Sequence, residues 1–180
     1  MWDQLKDAQD PHGFTFKEAI YSGCKNTDSG IGVYAGSPES YQSFAALFNP
    51  IIEDYHKYQL QRGHQSNMNA SELQAPPFPP EDAAMIKSTR IRVGRNLAEF
   101  PLGPGVTKDQ RNQIEALVVR ALNTFDGELG GTYYSLAQLS PQARQQLIDD
   151  HFLFKEGDRF LDACGLNRDW PAGRGIFHND

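Results

Sequence analysis

Residues 87–96 read KSTRIRVGRN: four cations in ten positions with no acid among them, in a chain whose formal net charge is −6. The nearest carboxylates are Asp82 before the run and Glu99 after it. Alternation of residue types predicts a β-strand over 88–93. Ser88, Arg90 and Arg92 fall on one face, and Thr89, Ile91 and Val93 on the other. Same-face neighbours on a strand stand about 7 Å apart, so two guanidiniums and a hydroxyl project side by side. Guanidinium forks bind phosphate oxygens bidentately and stay charged at any relevant pH. This face is a candidate polyphosphate receptor. The plainer alternative is a solvated strand whose arginines pair with acids elsewhere. Neither a G-x-x-x-x-G-K-[ST] loop nor a G-x-G-x-x-G turn accompanies it.

The residues before the strand change character. Positions 63–83, GHQSNMNASELQAPPFPPEDA, are polar and hold four of the eleven prolines, a composition that suits a linker. A domain boundary is expected near residue 84, dividing a helical unit, 1–83, from a mixed α and β unit, 84–180. In the first unit, FTFKEAIYSG (14–23) and PESYQSFAALF (38–48) are short amphipathic helical stretches. PIIEDYHKYQLQRG (50–63) opens with Pro50, expected in the first turn of a helix. In the second unit TKDQRNQIEALVVRALNTF (107–125) carries the clearest helix pattern. Thr107 and Gln110 form a capping box, and Ile114, Leu117, Val118, Ala121 and Leu122 make one apolar stripe. A further helix starts at SPQARQQLIDD, with Ser140 as cap and Pro141 in its first turn. The last possible strand is GIFHND, at residues 175–180. The fold class expected is α+β.

Composition narrows the functions. With 180 residues, 39% apolar and 11% aromatic, the chain can bury a core. Its acidity argues against nucleic acid or a membrane surface as partner. Cys24 and Cys164 show no metal-ligand spacing and no disulfide framework, the start MWDQLKDAQD is no secretory signal, and no apolar run approaches a bilayer span. A soluble, cytoplasmic protein is expected.

Two further stretches carry possible chemistry. DSGIGVYAGS (28–37) is either a plain connection or a ligand-embracing loop. Gly30 and Gly32 would let the backbone approach a small molecule, and Ile31, Val33 and Tyr34 would offer apolar wall and a hydroxyl. Its N–H groups suit a carboxylate. LIDDHFLFKEGDRF (147–160) sets His151 directly after two aspartates; a metal is conceivable there, yet no ligand spacing supports one, and an ordinary polar histidine is the plainer reading. His12, His56, His64 and His178 read as surface residues.

Taken in order, DSGIGVYAGSPESY, STRIRVGRNL, LIDDHFLFKEGDRF and WPAGRGIFHND resemble the phosphagen (ATP:guanidino) kinases, and within them the arginine-specific branch. The resemblance implies a small all-helical N-terminal domain followed by the first part of an α/β catalytic domain with an antiparallel sheet. It implies reversible transfer of the γ-phosphoryl group of Mg-ATP to a guanidino nitrogen, that of L-arginine, with taurocyamine or lombricine as alternative acceptors. By the same resemblance Ser88, Arg90, Arg92 and His151 contact ATP or ADP. Ser29, Gly30, Ile31 and Tyr34 close over the substrate's amino-acid end, and Asp28 with Arg159 ties that loop to the large domain. No protein-held metal is implied, and the assembly is a monomer or homodimer. The substrate loop and helical first unit disfavour a protein-arginine kinase relative. The family's catalytic glutamates and cysteine belong to motifs that would follow Asp180. The 180-residue chain is therefore expected to be inactive on its own, and an inactive nucleotide-binding member is the alternative.

Overall fold

The computed structural model describes residues 1–74, 77–153 and 157–179. Ala75 and Pro76 of the expected linker, Phe154–Glu156 of the His151 stretch and the terminal Asp180 lie outside the described residues. Helices α1 (Trp2–Leu5), α2 (Phe16–Lys25), α3 (Ser40–Ser43) and α4 (Ala45–His56) build the first half. Beyond them come α5 (Pro80–Ala83), α6 (Lys108–Leu122), α7 (Pro141–Asp149) and α8 (Arg159–Ala163), with strands β1 (Gly131–Ser135) and β2 (Gly175–Asn179). The strands pair antiparallel, Tyr133 opposite Phe177, so the fold is α+β.

Local signals start the long helices. Thr15 accepts from Glu18 N–H while Glu18 reaches back to Thr15 N–H, a capping box at α2 that repeats the one at Thr107 and Gln110 of α6. Ser140 caps α7 by accepting from Ala143 N–H, and Pro141 occupies its first turn. Pro50 departs from expectation: it lies inside α4, which already starts at Ala45. A proline there removes one helical hydrogen bond and costs about 3 kcal/mol. Phe44, Leu47 and Phe48 bury beside it, each contributing about 1.5–3 kcal/mol, and that burial outweighs the break.

The first core gathers Phe14, Phe16, Ala19, Phe44, Leu47 and Phe48. Leu102 packs onto it from the second half, and its N–H donates to Gly36 O at 2.9 Å. Across the sheet, Glu115 of α6 accepts from Tyr133 Oη at 2.6 Å and Ser135 Oγ at 3.0 Å, fixing α6 to β1. Burial, with Glu115 adding to it, pushes the Tyr133 phenol upward from its ordinary value.

The expected strand over 88–93 is absent. Those residues are irregular, with Ile91 85% and Val93 73% exposed. A strand needs a neighbouring ladder, and among the described residues β1 and β2 pair only with each other. The α6 stripe is also only partly covered: Ile114 is half-buried, whereas Leu117 and Val118 remain open. His178, expected on the surface, is half-buried in β2 with its ring edge-on to Phe152 at 4.5 Å.

Candidate functional site

The glycine loop leaves α2 at Asn26, whose carbonyl accepts from Ser29 N–H at 2.9 Å. It then crosses back over the helix, where Gly23 N–H donates to Gly32 O at 2.8 Å. A Cβ on Gly32 would lie 2.5 Å from Gly23 Cα, and Gly32 adopts φ +75°. Neither residue can carry a side chain without moving the other. Tyr34 N–H next donates to Ala19 O at 2.9 Å, so the loop is sewn along α2.

The far end of the loop is pinned by a buried carboxylate. Asp10 accepts from Ser37 Oγ and Ser40 Oγ, each at 2.6 Å, and from His12 and Phe14 N–H groups, each at 2.9 Å. Burial opposes its ionisation, but the Ser37 and Ser40 hydroxyls and the two N–H donors outweigh that and hold the carboxyl below its ordinary value. Ser40 Oγ accepts in turn from Gly36 and Ser37 N–H. Sequence reading missed this network, because nothing local links Asp10 to serines some thirty residues on.

Between these anchors the N–H groups of Gly30, Ile31, Gly32 and Val33 meet no acceptor among the described residues. A Cβ on Gly30 would have no neighbour within 4 Å. The two glycines look alike in sequence yet differ in role: the fold requires Gly32 and leaves Gly30 free. A run of free N–H groups suits a carboxylate or another anion. Beside it Ile31 and Tyr34 line an open cavity of about 380 Å³, shared with Tyr41, Phe48, Tyr55 and Leu102. Burial pushes the Tyr34 phenol upward, and Cys164 and Asp158 add to the shift.

Asp28, at the loop's start, accepts from the guanidinium of Arg159, the first residue of α8. That hydrogen bond is the main reason its carboxyl sits below the ordinary value. Both side chains are more than half exposed.

The cationic segment is placed differently. Neither Arg90 nor Arg92 pairs with an acid among the described residues, and the neighbouring Lys87 and Arg95 donate only to the carbonyls of Ala84 and Gly94. No described hydrogen bond, ion pair or ring contact joins Ser88, Arg90 and Arg92 to His151. His151 ends α7: its N–H donates to Ile148 O at 3.1 Å, and Phe152 N–H donates to Leu147 O at 2.9 Å. This is a Schellman turn with His151 in the left-handed position, φ 63°. The donor set (two uncompensated guanidiniums, a hydroxyl and an imidazole) fits a nucleotide's phosphates by chemistry, although no packed cradle holds it. Among the described residues no three His, Cys, Asp or Glu side chains converge as a metal site.

Other arginines serve the fold. Arg111, 8% exposed, donates to Gly103 O at 3.0 Å and Gly165 O at 3.1 Å. Arg168 donates to Pro104 and Val106 carbonyls, and Arg174 to those of Ala172, Leu166 and Arg168. Burial, then the charges of Arg174 and Arg168, lower Arg111 to about 10, so it remains charged at neutral pH. Helical periodicity places Arg111 without revealing these distant carbonyls.

The family profile described as ATP:guanido phosphotransferase, N-terminal domain, matches residues 1–53, and that of the C-terminal catalytic domain matches 113–180. The chain belongs to the ATP:guanidino phosphotransferase family. An arginine kinase of Anthopleura japonica is 51% identical across 100% of this chain and 25% of its own length. The Penaeus vannamei arginine kinase Lit v 2.0101 is 46% identical across 100% of this chain and 51% of its own. This member of the phosphotransferase family thus spans a quarter to about half the length of those relatives. Among solved structures, the duplicated taurocyamine kinase from Schistosoma mansoni with bound transition-state analogue components aligns with TM-score 0.87 and 30% identity, over 99% of this chain and 25% of that one. A lombricine kinase aligns with TM-score 0.71 and 31% identity, over 96% of this chain and 47% of that one. No helix among the described residues is long and apolar enough to cross a membrane.

Proposed function

We propose that the chain is the substrate-loop and phosphate-binding portion of an ATP:guanidino phosphotransferase acting on L-arginine, divided near residue 84. The observation that carries the reading is the loop 28–34: four free N–H groups beside an aromatic cavity, bounded by the Asp28–Arg159 pair. Ser29, Gly30, Ile31 and Tyr34 receive the amino-acid end of the substrate, and Asp28 with Arg159 holds the loop closed. Ser88, Arg90, Arg92 and His151 hold the nucleotide. When bound, Mg-ATP supplies the γ-phosphoryl group. Arg90 and Arg92 neutralise phosphate charge without changing protonation, while loop closure orients the acceptor nitrogen and excludes water. A cytoplasmic setting agrees with two free thiols, Cys24 exposed and Cys164 buried.

Calorimetric titration of ADP into the chain and its Arg90→Ala form tests the phosphate role. Loss of a charge-assisted contact predicts about tenfold weaker binding or more; equal affinity would remove the assignment. A taurocyamine or lombricine acceptor is the second reading, supported by the structural likenesses at 30% and 31% identity. Arginine is preferred because relatives of that name reach 46–51%. Steady-state kinetics of the full-length protein with a guanidino panel separates them, and a higher kcat/KM for taurocyamine or lombricine would overturn arginine.

A further inference from the structure

Asn26 ends α2 in a buried position, 5% exposed, and touches three elements at once. Its Nδ2 donates to Ser22 O at 3.2 Å, on its own helix, and to Arg159 O at 3.4 Å, on α8. Its main-chain carbonyl accepts from Ser29 N–H, the start of the glycine loop. One turn earlier the buried Ser22 Oγ donates to Phe160 O at 3.2 Å. The Arg159 guanidinium in turn lies over the Phe160 ring, 4.5 Å from its centroid.

The Asp28–Arg159 pair is exposed on both sides. An exposed ion pair gains little net attraction, because water screens it and two long side chains must be ordered. Contact therefore depends on how well the partners are held beforehand. Asp28 lies two residues after Asn26, and Arg159 is gripped at its carbonyl by the same Asn26 amide. Both ends of the exposed pair thus hang from one buried residue, Arg159 through the Asn26 side-chain amide and Asp28 through the turn closed on the Asn26 main-chain carbonyl.

We infer that Asn26 is a positioning residue: it presents Arg159 to Asp28 and so sets the closed position of the substrate loop. The inference rests on the loop function proposed above. Asn26→Asp keeps the shape but removes both donors and turns a carboxylate toward two carbonyl oxygens. Asn26→Ala removes the donors without adding charge and serves where the aspartate form fails to fold.

The test uses the full-length protein as wild type, Asn26→Asp, Asp28→Asn and the double variant. Amide exchange at Ser29, guanidino KM and ADP affinity are measured on each. Asn26→Asp is expected to speed Ser29 exchange and raise guanidino KM by about tenfold each, with ADP affinity changed less than about twofold. Asp28→Asn should match it in KM, and the double variant should be no worse than the more impaired single variant, since both act through one contact. Additive losses in the double variant, or equal weakening of both substrates, would overturn the inference as mere destabilisation. If the wild type transfers no phosphoryl group to any guanidino compound, the enzymatic reading falls. Ser29 exchange and its coupling to Asp28 then still decide what Asn26 does.

Discussion

Replacing Asp10 with asparagine isolates the buried network beneath the loop. The carboxylate takes two hydroxyl donations on one oxygen and two N–H donations on the other. Asparagine has the same volume but one acceptor oxygen, so whichever way it sits, two donors lose their partner. Each stranded buried donor costs about 1–3 kcal/mol. The expected loss is about 3 kcal/mol, a large share of a typical domain's roughly 5–15 kcal/mol. Urea unfolding at neutral pH measures it; a loss under about 1 kcal/mol would refute the reasoning. The pH dependence gives a second check. The folded-state pKa lies below the ordinary value, so Asp10's contribution is complete above the unfolded pKa of about 3.9. It is then lost as pH falls from there through the folded value. The gap between wild type and Asp10→Asn must therefore narrow in acid, and a gap constant down to about pH 2 would contradict the assignment.

Four other outcomes follow from particular residues. Gly32→Ala places a Cβ against Gly23 at φ +75° and should cost at least about 1–2 kcal/mol. Gly30→Ala should leave stability within about 0.5 kcal/mol while raising guanidino KM; thermal melts and kinetics read the two together. His151→Gly relieves a left-handed non-glycine residue and should stabilise by about 1 kcal/mol while weakening ADP binding. A lower melting temperature would contradict the turn geometry. Gly103 O and Gly165 O both accept from Arg111 Nη2; the Nζ of Arg111→Lys falls about one bond short of that position, and a loss of about 2–3 kcal/mol in urea unfolding is expected.

Helix starts were legible wherever cap and first turn lie within four residues of one another. Thr107 with Gln110 and Ser140 with Pro141 announce α6 and α7, and Thr15 with Glu18 carries the same signature at α2. Pro50 misled because a proline marks a first turn only where nothing earlier packs, and Phe44, Leu47 and Phe48 do pack. The 88–93 strand misled for the opposite reason: alternation states which face a strand would show, whereas forming it requires a ladder partner supplied from elsewhere. His178 was misjudged likewise, its burial coming from Phe152 on a different segment.

The candidate site divides along the same line. The residue types of the loop, the arginine-rich segment and the family they resemble can be read from order and spacing alone, because chemistry and short-range geometry travel with the chain. What separates Gly32 from Gly30 is an approach to Gly23 that no local pattern contains. Asp10 joined to Ser37 and Ser40, Asn26 joined to Arg159, and Arg111 joined to Gly103 and Gly165 are pairings across 27 to 133 positions, apart from the eight that separate Arg111 from Gly103. Burial selects those partners: a polar group taken from water must find a donor or acceptor wherever the packed chain presents one, and only the tertiary structure says where that is.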